Sequence, residues 1–343
     1  MRQLNAQSSA TIVASVGRDL DEFCQTLNID LPPLLRSLGI DASKFSDFDA
    51  RMSFDAFCRL LEVLSTLSNK ETIGIDYAQF FRRGGTGPLG QGLAAAPNIE
   101  AVFRFLTTHM TILVDHRIYE ATYEREALTI EWSYSPLITN CDQYTDFAVR
   151  SVVKALDTKT AGRQAYGIFA FQRQEPRNTK LFRQVFPGKL LFGQETNRVE
   201  FKTDLFAMDN PYSNPNLFEL MQQTCTKIAN ERRSNKPFDL SLREDVMESL
   251  PSGGLDIETV ARRHGMSVRT LQRRLEDCGM TYETLLDDVR SSLIEVLLKD
   301  PDKSMAQIAE AVGYSDQSAF SRAIVKRFQL TPTQLRAALT KDR

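Results

Sequence analysis

Apolar residues recur at helical spacing over Phe54 to Leu67 and Ile99 to Val114, whereas Ile118 to Tyr134 and Asn197 to Lys202 alternate apolar and polar positions with the two-residue period of strands. This mixture predicts an α+β amino-terminal domain over residues 1–229, long enough to bury a substantial core. The polar, helix-stopping run from Asn230 to Pro237 predicts a linker over 230–237. Beyond it only short helical periods remain, so residues 238–343 are expected to be all-α. Pro251, Ser252, Gly253 and Gly254 separate a first helix, Phe238 to Leu250, from the later helices. The cluster Gly84-Gly85-Thr86-Gly87-Pro88 reads as a turn, because it lacks the Gly-Lys-Ser/Thr ending that brings a lysine onto phosphates.

The second half contains an internal repeat. Val260-Ala261, Gly265 and Ser267 recur 48 residues later as Ile308-Ala309, Gly313 and Ser315. Each copy reads as helix, glycine turn, capping serine and second helix: a helix-turn-helix unit, at residues 257–278 and 304–328. Small Ala261 and Ala309 admit close helix packing, Gly265 and Gly313 free the turn, and Ser267 and Ser315 are suited to cap the next helix. In the first copy Val268, Leu271 and Leu275 share a buried face, which turns Arg269, Gln272 and Arg273 outward. In the second, Phe320, Ile324 and Ala323 face inward and leave Gln317, Ser318, Ser321 and Arg322 outside. Arginine and glutamine have the donor and acceptor geometry that reads guanine and adenine edges in a major groove. Arg274, Lys326 and Arg327 are assigned to phosphates. Ser304 and Gln307 fit a capping box before the second unit. Thr331-Pro332 then starts a last helix, Thr333 to Leu339. The apolar period from Thr281 to Lys299 predicts one connecting helix, about 28 Å long at 1.5 Å per residue. That is close to the ~34 Å repeat separating successive major grooves, so one chain would span two adjacent half-sites.

Charge is informative only locally. The net charge of -2 hides a segment Thr259 to Leu275 with five arginines and no acid, and a segment Gln317 to Arg336 with four bases and no acid. DNA affinity rests mainly on such bases meeting phosphates. Glu276 to Asp316 carries ten acids against three bases, so the connecting helix should face away from the duplex. With 42% hydrophobic residues and no apolar run of the roughly 18 residues a membrane helix requires, no membrane association is expected. The amino terminus does not read as a secretory signal, so a cytoplasmic location is expected. Five scattered cysteines without a C-x-x-C pair, and three dispersed histidines, give no metal centre. No cofactor motif and no catalytic constellation is present, so the chain is not read as an enzyme.

The residues Val260-Ala261, Gly265, Ser267, the run Arg269 to Leu275, Arg290, Leu297-Leu298, Ile308-Ala309, Gly313 to Arg322, Thr331-Pro332 and Arg336 strongly resemble the DNA-binding domain of the AraC/XylS family of bacterial transcription regulators. Two positions depart from that pattern: Ile324 stands where an aromatic is common, and Gln329 where glycine is usual. The resemblance implies that Arg269, Gln272 and Arg273, with Gln317, Ser318, Ser321 and Arg322, fall on base-reading helices. Gly87 to Gly90, with Leu191-Phe192-Gly193, Asn197 and Phe201, resemble the arabinose-binding-type sensor domain of ornithine-utilisation-like regulators in that family. This implies a regulator of transcription, read as an activator, that binds promoter DNA and RNA polymerase and answers to a small-molecule effector, to homodimerisation, or to both. The family name of the domain does not make arabinose the ligand. Trp132 and Tyr134, alternating on a strand, fit either a cavity wall or plain core, and Arg82 and Arg83 suit an anionic ligand or plain surface, so no effector-binding residue is assigned. Two alternatives stand beside this reading: a regulator controlled by protein association alone, and an enzyme domain fused to a DNA-binding module.

Overall fold

A computed structural model describes residues 10–82, 86–115, 119–124, 127–132, 134, 138, 141–159, 167–202, 206–235, 237–250, 256–300 and 303–340. The chain forms two compact units that divide after residue 233. The first is α+β and the second all-α, as the hydrophobic pattern predicts.

In the first unit β1 (Thr11–Val13) and β2 (Arg51–Ser53) form a two-stranded antiparallel sheet. Around them lie α1 (Leu20–Thr26), α2 (Leu31–Leu38), α3 (Phe54–Ser68), α4 (Ile73–Phe80), α5 (Pro88–Ala95) and α6 (Ile99–Leu113). Ser53 caps α3 through the amide of Ala56 at 3.2 Å, and Asn98 caps α6 through Ala101 at 2.8 Å, which fixes where these helices start. Next come β3 (Tyr119–Tyr123), β4 (Ala127–Trp132), α7 (Asp142–Lys159), β5 (Gly167–Ala170), α8 (Lys180–Val185), β6 (Gly188–Leu191), β7 (Asn197–Lys202) and α9 (Pro215–Asn235). The larger sheet runs β3-β4-β7-β5-β6, antiparallel except for the parallel pair β5 and β6. Leu128, Ile130 and Trp132 of β4 sit opposite Phe201, Val199 and Asn197 of β7, so strict alternation delivers one apolar face. The run read as a linker is helical as far as Asn235, because α9 continues through Glu231, Arg232 and Arg233, all good helix formers. Gly84, Gly85 and the Pro251 to Gly254 run lie outside the described residues.

Helix α7 is clamped to α4 by a close approach that only glycine allows. A Cβ on Gly74 would stand 1.9 Å from the carbonyl oxygen of Gln143, and the Gly74 amide donates to Gln143 Oε1 at 2.9 Å. Further along α7, Lys154 donates to the carbonyls of Ala78, Gln79 and Phe81 at 2.9, 2.7 and 2.8 Å, so its ammonium closes the carboxyl end of α4.

Asp146 on α7 is wholly buried and bonded to Arg173. Burial outweighs the charge of Arg173, with Asp142 and Glu62 adding repulsion, and the carboxyl is pushed up to about 8. A carboxyl whose folded value lies above its unfolded one stabilises the fold fully below the ordinary carboxylate range and loses that contribution as pH rises through its folded value. The unfolding midpoint of this unit, followed by fluorescence of Trp132, should therefore fall as pH is raised from the ordinary carboxylate range to about 8 and level off above it. Asp146→Asn should flatten that fall, and a flat profile in the unmodified protein would show an aspartate held ionised by Arg173.

The second unit consists of α10 (Phe238–Ser249), α11 (Ile257–Arg263), α12 (Val268–Asp277), α13 (Tyr282–Leu297), α14 (Met305–Ala311), α15 (Gln317–Phe328) and α16 (Pro332–Thr340). One core joins them, with Leu242, Val246, Leu271, Leu275, Leu293, Ile308, Phe320 and Ile324 all at 0% exposure. Helix α13 is shorter than the sequence implies. Its 16 residues span about 24 Å, since a threonine capping box at Thr281 and Thr284 starts it and the last turn loosens after Leu297.

Candidate nucleic-acid interface and effector cavity

The two helix-turn-helix units repeat one another in backbone hydrogen bonding through their first helices and turns. In the first, Gly265 donates to Arg262 O at 3.0 Å and Met266 to Ala261 O at 2.9 Å. In the second, Gly313 donates to Glu310 O and Tyr314 to Ala309 O, both at 2.9 Å. Both glycines take the left-handed conformation, φ +64 and +77, that this helix ending requires. Ala261 and Ala309 are buried at 2%, which lets the following helix cross closely.

The copies then part by one residue. Ser267 caps α12, accepting from the Thr270 amide at 3.2 Å. Ser315, expected to do the same for α15, does not: Asp316 is the cap, accepting from the Ala319 amide at 2.8 Å, and Ser315 only hydrogen-bonds to Asp316 at 3.3 Å. The aspartate wins because its carboxylate is the stronger acceptor and carries charge that suits a helix amino terminus. Buried Leu271 and Leu275 therefore correspond to Phe320 and Ile324 at an interval of 49, one more than in the turn. The outward positions shift with them, so Arg269, Gln272 and Arg273 align with Ser318, Ser321 and Arg322.

Arg269, Gln272, Arg273, Gln317, Ser318 and Arg322 are all exposed, and Ser321 is half-buried with its hydroxyl donating to Gln317 O at 2.8 Å. The side chains of Arg269, Gln272 and Arg273 make no hydrogen bond or ion pair among the described residues. The three residues assigned to phosphates are less alike. Lys326 is exposed, but Arg274 stacks 5.2 Å over the Phe238 ring, and Arg327 is bonded to Asp288 of α13 at 2.9 Å. Two further corrections concern packing: Val268, at the margin of the core, and Ala323 are half-buried instead of buried. Arg336 belongs to the fold, donating to Leu298 O at 3.2 Å and Lys303 O at 2.6 Å. Arg290 likewise braces the second turn, donating to Val312 O at 3.3 Å beside the Tyr314 ring.

Gln329 adopts the left-handed conformation, φ +58, that the usual glycine would take at the end of α15. A non-glycine residue there is strained by roughly 1–2 kcal/mol, against about 0.5–1 kcal/mol of extra chain entropy for glycine. Gln329→Gly should thus stabilise this unit by about 0.5–1 kcal/mol, read as a higher denaturant midpoint at unchanged slope.

The first unit contains a cavity of about 250 Å³ between the β4 face of the sheet and helices α4 to α7. Ile130, Trp132, Phe103, Leu106, Phe147 and Leu89 supply much of its wall. Trp132 thus lines a cavity, whereas Tyr134 is core: it packs against Phe54 and Tyr144 and bonds Thr145 at 2.9 Å. Arg82 reaches the cavity rim but is paired with Glu22 and Asp19. Arg83 lies outside the described residues. Helix α7 is not anticipated from the sequence, and of the cavity wall only Trp132 is, as one of two readings. The one usable signal was the helical stripe Tyr144, Phe147, Ala148, Ser151, Val152 and Ala155. Among the described residues no cluster of histidine, cysteine or acidic side chains is arranged to hold a metal, the cysteines are unpaired, and no helix is long and apolar enough to cross a membrane.

A basic, outward-facing pair of helix-turn-helix units joined to a cavity-bearing α+β unit defines a DNA-binding transcription regulator. The profile of the arabinose-binding domain of AraC transcription regulators matches residues 29–210, and that of a helix-turn-helix domain matches residues 260–338. The chain belongs to the AraC family of transcription regulators. It is 24% identical over 325 residues to the regulator VirS of Mycobacterium tuberculosis, covering 92% of this chain and 93% of that protein. It is 21% identical over 291 residues to the ornithine utilization regulator of Pseudomonas aeruginosa, covering 84% of this chain and 86% of that one. Among solved structures, the transcriptional regulator CdpR from Pseudomonas aeruginosa aligns with a TM-score of 0.46 at 18% identity, over 94% of this chain and 98% of CdpR. VirS and the ornithine utilization regulator are regulators, and with the helix-turn-helix match the chain is read as a regulator and not as an enzyme.

Proposed function

We propose that the protein is a sequence-specific transcription activator whose grip on promoter DNA is set by a small molecule in the amino-terminal cavity and by self-association through that unit. The observation that carries this reading is the repeated surface: exposed Arg269, Gln272 and Arg273 in one unit, and exposed Gln317, Ser318 and Arg322 with half-buried Ser321 in the other, as the base-reading side chains. Arg274, Lys326 and Arg327 flank them as phosphate contacts. The residues at the turns, Ala261, Gly265, Ser267, Ala309, Gly313 and Ser315, set the angle at which each reading helix is presented. RNA polymerase is the partner for the acidic stretch of α13, where Glu283 and Asp287 are exposed and would repel a duplex. The name of the Pseudomonas relative points to ornithine for that protein. In this chain no carboxylate is among the described cavity-lining residues to meet its amines, so ornithine does not fit.

The test is selection of source-genome fragments by the full-length protein at near-physiological salt, followed by sequencing. Enriched sites made of two short elements about 10 base pairs apart are expected. Single-element sites would reject two-groove reading, and a monomer at every concentration in sedimentation would reject self-association.

A further inference from the structure

The cavity has a chemistry of its own. Space exists there because α7 presents Ala148, Ser151, Val152 and Ala155 on one stripe, small or β-branched side chains facing Phe103 and Leu106 of α6. Among the described residues, the charged ones lining it are Arg82, Lys154 and Lys159, all cationic. Lys159 is 7% exposed and donates to Ala94 O at 3.0 Å. The Ser151 hydroxyl is buried in the same wall without a hydrogen-bond partner. A buried hydroxyl left so is unfavourable, and an occupant offering an acceptor removes that cost.

Resting on the reading of this unit as ligand-sensing, we infer that the cavity binds a compact apolar monocarboxylate instead of a sugar. Size sets the scale: a cavity of about 150 Å³ admits benzene, so about 250 Å³ suits on the order of ten non-hydrogen atoms. A pentose of that size would bury a hydroxyl on nearly every carbon. The wall is mostly Ala, Val, Leu, Ile and Phe, and Lys154 already spends its donors on three backbone carbonyls. A hydrocarbon body meets that wall without unsatisfied groups, and a single anionic head accepts from Ser151 in the positive field of the lining cations, whose own donors stay on the partners already named.

Trp132 is the chain's single tryptophan and lines the cavity, so its emission reports occupancy directly. The full-length protein would be titrated with octanoate, with L-arabinose of about the same number of non-hydrogen atoms, and with octylamine. Octanoate should give a saturable change in Trp132 emission that arabinose and octylamine do not. Ser151→Ala should weaken octanoate about tenfold, the loss of one charge-assisted hydrogen bond. Ala155→Phe, and as a second filling variant Ala148→Leu, should abolish the response while far-UV circular dichroism is unchanged. A saturable arabinose response without an octanoate one overturns the ligand class, and equal binding of octylamine overturns the anionic head. An octanoate response that survives both filling variants, or no octanoate response at all, overturns the cavity assignment. DNA affinity measured with and without octanoate separates the two levels. Octanoate binding at the cavity with unchanged DNA affinity upholds this inference and rejects ligand control.

Discussion

Phe320→Ala should lower the stability of the DNA-binding unit by about 3–5 kcal/mol, the range for truncating a fully buried aromatic. Phe320 is at 0% exposure, stands edge-on to Tyr314 at 5.9 Å and belongs to a core shared by α10 through α16. Because both reading helices drain into that one core through Leu271, Leu275 and Ile324, the cavity left behind is felt by both half-site readers. Denaturant unfolding followed by far-UV circular dichroism measures the loss. Trp132 lies in the other unit, so its fluorescence transition in the same titration serves as the reference. Phe320→Leu, which keeps much of the volume, should cost under about 1.5 kcal/mol. Equal losses for Ala and Leu would mean that the ring's contact with Tyr314, and not burial, is what Phe320 supplies.

The helix-turn-helix units were legible because their rules are local. Helical spacing, a glycine with positive φ and a cap each occupy a few neighbouring residues, and the repeat states them twice. The exception, Ser315, is instructive. A serine and an aspartate stand side by side, and the choice between them depends on where Phe320 must point to reach the core, which the turn residues do not encode. Arg327 and Arg336 show a related limit: a run of bases says that a surface is charged, not which carboxylate or carbonyl across the fold already holds each one. The cavity was illegible because it is made by what is missing. Ala148, Ser151 and Ala155 weaken the apolar period of α7 where they open the space, and its walls come from segments far apart in sequence. Trp132 and Tyr134, equivalent in an alternating pattern, end in different places: Trp132 lines the cavity, and Tyr134 packs against Phe54 and Tyr144.

Arg273→Ala should reduce affinity for the selected promoter site by about 1–3 kcal/mol while leaving binding to random duplex nearly unchanged, since a bidentate base contact contributes only where the right base is present. Lys326→Ala should weaken both, and should reduce the salt dependence of binding by about one released counterion. The structure adds a third arm. Arg327 lies next to Lys326 but is bonded to Asp288, which also faces Arg243 at 3.7 Å, so a phosphate would have to compete with a carboxylate already in place. Arg327→Ala should therefore cost less DNA affinity than Lys326→Ala. Asp288→Asn, by releasing the guanidinium, should raise affinity for all sequences alike. Fluorescence anisotropy at several salt concentrations, with specific and random duplexes, distinguishes these effects. A loss shared equally by both duplexes in Arg273→Ala would place that arginine on the phosphate backbone, and the reading face of α12 would then rest on Arg269 and Gln272.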